Sequence, residues 1–254
     1  MRLHKDNSFI FMHGNKHGLI KWESKNSLLA DEFTILARIT PDYDQLALEL
    51  EQRPVIQQMV LGKNGKHMGL QVVGYLDDSG EQHTKIAYEW WENPTWEENP
   101  DPNNDAPRDV KIELGNERIE DIDVVVEKYA GKFHISAHGK EDSRAYDGII
   151  DYSDCFTWIG CGNKTFINQE DNLRHGAIYT GDINLLHIQD GILLGKDKNL
   201  FFNEFETFNV YNKATKDNCV YFSSDFKDYT DYKVMDKSAN GNHPLVFSRE
   251  WLDF

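Results

Sequence analysis

Cysteine, proline and basic charge are all in short supply in this chain of 254 residues, and each shortage removes a class of explanation. The three cysteines, Cys155, Cys161 and Cys219, are odd in number and lack a C-x-x-C spacing, so neither a disulfide framework nor a zinc site is indicated. Lysine and arginine number 27 against 43 aspartates and glutamates, giving a formal charge of -16. A field of that sign repels phosphate backbones and anionic lipid, so nucleic acid is not an expected direct partner. It suits solubility, a cation, or a basic partner surface. No stretch approaches the ~18 continuous apolar residues of a spanning helix, and the segment from Met1 to Asn7 has no apolar core of a signal peptide. The expectation is synthesis and first folding in a cytoplasm, without membrane insertion. The ten histidines show no metalloprotease or cysteine-histidine spacing, and no nucleophile elbow, phosphate loop or dinucleotide fingerprint appears.

What the chain does have is aromatic mass and alternation. Aromatic residues make up 12% of it, ample apolar area for a buried core. Lys132 to His138 places Phe133, Ile135 and Ala137 on one face, and Phe33 to Ile39 alternates in the same way, so both predict half-buried strands. Further β-rich runs are Val55 to Leu61, Met68 to Tyr75, Lys85 to Trp91, Val110 to Leu114, Ile122 to Tyr129, Phe156 to Ile159 and Asp182 to Ile188. Turn signals separate them at Gly62-Lys63-Asn64-Gly65, Asp77-Asp78-Ser79-Gly80, Ala130-Gly131 and Ala239-Asn240-Gly241-Asn242. Helix is expected only briefly, over Asn203 to Tyr211 with Asn203 as cap. Glu92 to Arg108 holds four of the seven prolines and predicts a long loop. No repeat or linker is visible, so residues 1–254 read as one unit, with 199–254 completing the same sandwich.

The order of motifs resembles the laminin-G-like branch of the concanavalin A-like lectin/glucanase superfamily. The matching segments are Glu32-Phe33-Thr34-Ile35 with Arg38, Val60-Leu61-Gly62-Lys63 followed by Gly69-Leu70-Gln71-Val72, and Asp123 to Val126 followed by Gly131 to Ile135. Gly139-Lys140 resembles the end of an Asn-Gly-Lys turn, with His138 where Asn is usual. Phe156 to Gly160, Tyr179-Thr180-Gly181-Asp182-Ile183 with Leu186-His187-Ile188, and Asp236 to His243 also resemble family segments, although the last commonly lies near the beginning of such domains. The resemblance implies an all-β fold, a two-sheet antiparallel jelly-roll sandwich with one or two short helices. Its repertoire is glycan binding, adhesion and, in a minority, glycoside hydrolysis; fold does not choose among them. Cellular members are commonly exported, whereas bacteriophage structural proteins of this fold are made in the host cytoplasm. The resemblance therefore implies a non-enzymatic virion subunit, in an oligomeric assembly, that meets neighbouring virion proteins or host-surface glycans. A free carbohydrate-binding module and a glycoside hydrolase or lyase are the alternatives.

Three groups of residues are candidates for a site. Trp90, Trp91 and Trp96, led by Tyr88 and followed by Asn103 and Asn104, combine aromatic faces for sugar rings with polar groups for hydroxyls. Alternation sets Tyr88 and Trp90 against Trp91, so one set is expected in the core. Asp101, Asn103 and Asp105 begin like a calcium loop, but Ala106 and Ile112 stand where an EF-hand needs Gly and Glu, which leaves a looser calcium site or a solvated turn. Asp236, Asn240 and Asn242 form a second such set. For hydrolysis, Glu117-Arg118-Ile119-Glu120-Asp121-Ile122-Asp123 places Asp121 and Asp123 on one predicted strand face, with Glu127 downstream outside hydrolase spacing, and an exposed acidic strand entry is the simpler reading.

Overall fold

The structure, a computed structural model, describes residues 2–3, 8–12, 32–63, 68–90, 108–146, 157–160, 179–208, 210, 219–223 and 245–248. Strands β1 (Arg2–Leu3) and β2 (Ser8–Met12) precede β3 (Phe33–Pro41), after which helix α1 (Tyr43–Leu50) leads into β4 (Val55–Lys63). Then come β5 (Met68–Leu76), β6 (Gln82–Trp90), β7 (Arg108–Gly115), β8 (Ile122–Tyr129), β9 (Lys132–Ala137) and β10 (Lys140–Ala145). Strands β11 (Thr157–Ile159) and β12 (Gly181–Asp190), helix α2 (Gly195–Asn203), β13 (Cys219–Ser223) and β14 (Leu245–Ser248) complete the order. All pairings are antiparallel and build two seven-stranded sheets. Sheet I runs β1-β12-β3-β8-β9-β10, with β13 also on β12; sheet II runs β14-β2-β11-β4-β5-β6-β7. The fold is the expected all-β two-sheet sandwich. Among the described residues no helix is long and apolar enough to cross a membrane.

Alternation explains the sandwich. Every second residue of β3, β8 and β9 in sheet I, and of β5, β6 and β7 in sheet II, enters one shared core, and β12 adds Ile183, Leu186 and Ile188 across a register shift between Ile183 and Leu185. Its aromatic centre is Phe133, stacked on Trp90 with ring centroids 4.1 Å apart and edged by Tyr146 at 5.1 Å, with Tyr88 and Phe33 beside it. The turns use left-handed backbone where the sequence predicts it. Ala130 and Gly131 have φ 50 and 69, and His138 and Gly139 have φ 50 and 73. His138 therefore takes the conformation that Asn favours at such turns.

Helices depart from expectation. α1 forms because Asp42 accepts a hydrogen bond from the Gln45 amide (3.1 Å) as an N-cap, and Tyr43, Leu46 and Leu50 then face the core at helical spacing. α2 ends at Asn203 rather than starting there; the Asn203 amide turns back to Asn199. Residues 205–208 of the predicted helix are helical. α2 and this turn pack on the outer face of sheet I through a second core of Leu36, Leu185, Leu193, Phe201 and Phe208.

At one flank the edge strands β7 and β10 meet across the sandwich. Asp142 Oδ2 accepts the Lys111 amide (2.9 Å), Lys140 Nζ donates to the Glu113 carbonyl (2.6 Å), and Arg144 approaches Asp109 (3.8 Å).

Candidate functional site

On the outer face of sheet I, α2 packs over β12 and β3 and reaches β8 at Val125 and Glu127, while β10 beyond it is exposed. Because Val124 and Val126 enter the core, Val125, Glu127 and Tyr129 point the other way. Register places Glu127 opposite His134, and His134 opposite Ser143, so a polar row crosses three strands. Together with Ser136, Glu141, Asp142 and Lys198 of α2, these residues line a groove of about 560 Å³.

Within the groove, Tyr129 and His134 stack with centroids 4.3 Å apart and planes 13° from parallel. Lys198 Nζ donates to Glu127 Oε2 at 2.6 Å. The other oxygen of that carboxylate, Oε1, and Nε2 of His134 are buried without a hydrogen-bond partner. Glu127 is 8% exposed, so an unpaired oxygen there carries a real cost, about 1–3 kcal/mol for a buried polar group. Burial holds the His134 imidazole below its ordinary value of 6.5; Glu127 and Glu141 pull it up, while Lys132 and Lys198 push it further down. It therefore stays neutral near pH 7 and offers one ring nitrogen as an acceptor.

The Lys198–Glu127 pair fastens α2 to the rim of the groove. Lys198→Ala is expected to destabilise the protein by about 2 kcal/mol, because it leaves both oxygens of a buried carboxylate unpaired. Adding Glu127→Leu should recover most of the loss. Urea unfolding of the two single variants and the double variant reads this; equal effects of both single variants with simple addition in the double would contradict it.

The candidates read from the sequence fall elsewhere. Trp90 is fully buried against Phe133 and Tyr146, because alternation along β6 turns it inward with Tyr88; this corrects its place among the glycan contacts. Trp91, Trp96, Asn103 and Asn104, with the calcium candidates Asp101, Asn103 and Asp105, lie outside the described residues, as do Asp236, Asn240 and Asn242. Asp121 does not share a strand face with Asp123. It precedes β8 with φ 50 and accepts from Asn184 at 2.6 Å. Asp123 is held by Arg38 through two bonds of 2.6 and 2.9 Å, which raise the arginine's pKa. The polar row across β8 to β10 escaped sequence reasoning, since only the register brings its members together.

Among the described residues, Asp77, Glu81 and His83 place possible ligand atoms within 4.8 Å of one another. Asp77 is already occupied: Oδ1 accepts from the Ser79 hydroxyl and from the Ser79 and Glu81 amides, and Oδ2 meets His83 at 3.1 Å. Those donors, the Ser79 hydroxyl foremost, pull its carboxyl down to about 2. The arrangement clamps the β5–β6 hairpin.

No family model matches the sequence, and no curated protein matches it. Among solved structures, the chain is similar to alginate lyase from Alteromonas sp. 272, at 10% sequence identity over 86% of this chain and 85% of that one, with a TM-score of 0.29.

Proposed function

We propose that this protein is a non-catalytic, lectin-like binding domain whose groove on the outer face of sheet I receives a glycan, within a phage particle where it meets neighbouring virion proteins or host-surface sugars. The observation that carries the binding reading is the pair of partnerless buried atoms, Glu127 Oε1 and His134 Nε2, beneath a polar groove. The two stand side by side on paired strands under one groove, unlike the partnerless Trp90 indole N–H, which lies in the core. The stacked Tyr129–His134 rings add an aromatic edge of the kind that sugar C–H faces pack against.

The paired state of the acids favours binding over hydrolysis. Asp123 and Glu127 are four residues apart on one strand, roughly 13 Å by strand rise, whereas glycosidase carboxyls stand about 5–9.5 Å apart. Each is also tied to its own cation, Asp123 to Arg38 and Glu127 to Lys198.

A glycan array probed with the protein and with a Glu127→Gln variant tests the reading. Binding that weakens in the variant is expected. Release of reducing or unsaturated ends from a bound polysaccharide would replace it with a catalytic one. Mass spectrometry of purified virions tests the particle setting, and absence of the chain from mature particles would remove that part.

A further inference from the structure

The groove's chemistry narrows what it can hold, and the narrowing rests on the glycan reading above. Glu127 and His134 are direct cross-strand partners, so their side chains leave the sheet side by side, with Cβ atoms roughly 4.5–5.5 Å apart. Each presents one buried polar atom with no partner, a carboxylate oxygen already balanced on its far side by Lys198 and an imidazole nitrogen that accepts or donates according to the tautomer. Two adjacent polar atoms call for two adjacent hydrogen-bonding groups from a single ligand. Hydroxyls on neighbouring carbons of a pyranose supply that pair.

Charge narrows the choice further. Glu127 and Glu141 line the groove against one ammonium, Lys198, which is committed to Glu127 at 2.6 Å; the Asp142 carboxylate turns to the Lys111 amide of β7, and Lys132 acts on His134 from outside the lining. A uronate or sulfated sugar would add a like charge to a groove with no free cation among its described lining residues.

We infer that the groove selects a neutral pyranose through one vicinal diol, one hydroxyl donating to Oε1 of Glu127 and its neighbour hydrogen-bonded to Nε2 of His134. Both atoms lie beneath the present surface of the groove, so a sugar reaches them only as the side chains lining the groove give way.

The test is saturation-transfer NMR with competition, using the methyl glycosides of glucose, galactose and mannose, their monodeoxy analogues and methyl glucuronoside. For a neutral glycoside that binds, removal of either of two adjacent hydroxyls should cost about tenfold or more in affinity, equivalent to one lost hydrogen bond of about 1.4 kcal/mol. Removal of the others should cost little, and the glucuronoside should bind at least about tenfold more weakly than the glucoside. His134→Phe keeps a ring against Tyr129 and removes the ring nitrogens. It should lose a similar factor toward the parent sugar and almost none toward the analogue lacking the hydroxyl that His134 bonds. Dependence on one hydroxyl, on two non-adjacent ones, or equal binding of the glucuronoside overturns the diol inference while leaving the groove a glycan site. Failure of every glycoside, together with an array blank for neutral oligosaccharides, overturns both.

Discussion

Gly69→Ala is expected to lower stability by about 3 kcal/mol, the upper range for forcing extra volume into a packed site. A Cβ at this position would lie 1.9 Å from the Leu61 carbonyl oxygen and 2.8 Å from the Gly62 Cα, both backbone atoms that cannot rotate away. The crowding arises where β4 shifts register between Met59 and Leu61, bringing Gly62 and Gly69 face to face. For a chain of this size the loss corresponds to a fall in Tm of roughly 6–12 °C. Gly80→Ala is the internal comparison: Gly80 has φ +83 but open space around it, so only backbone conformation is penalised, at about 1 kcal/mol. Urea unfolding ranks the two. A Gly69 variant no worse than the Gly80 variant would contradict the bulged β4–β5 pairing.

Trp90→Ala should cost about 4 kcal/mol, as expected for a large aromatic removed from a core. Trp90 is the largest fully buried side chain among the described residues, and its loss would strip the stacked face of Phe133. Trp90→Phe should cost far less. It keeps a ring against Phe133 and removes an indole N–H that is buried without a partner, itself a penalty of about 1–3 kcal/mol. Neither substitution should change glycan affinity per folded molecule, which separates Trp90 from the groove residues. Thermal unfolding alongside binding measurements on both variants checks the ordering and the separation.

The strands were legible in the sequence wherever one face is apolar. Ile122 to Tyr129 matches β8 residue for residue, and most other runs agree with their strands to within a few residues at each end. β10 was not legible, since Lys140 to Ala145 is exposed throughout and carries no alternation; it is a strand because β9 offers it a partner across a tight turn. α1 left a local trace, Asp42 followed three residues later by Gln45, but the surrounding β signals masked it. The groove left almost none. Glu127, His134 and Ser143 are neighbours only through pairing across three strands, and Lys198 joins them from a helix some 55 residues or more along the chain. Such a site is a property of register, which no single segment contains.

The flank where β7 faces β10 has a bearing on self-association. An exposed strand edge is a template on which a second chain can lay its own backbone. Here the amide of Lys111 is already held by Asp142 and the carbonyl of Glu113 by Lys140, so an incoming strand would meet occupied groups and a row of mixed charges. Fibril-like growth by sheet extension is therefore blocked at the middle of β7.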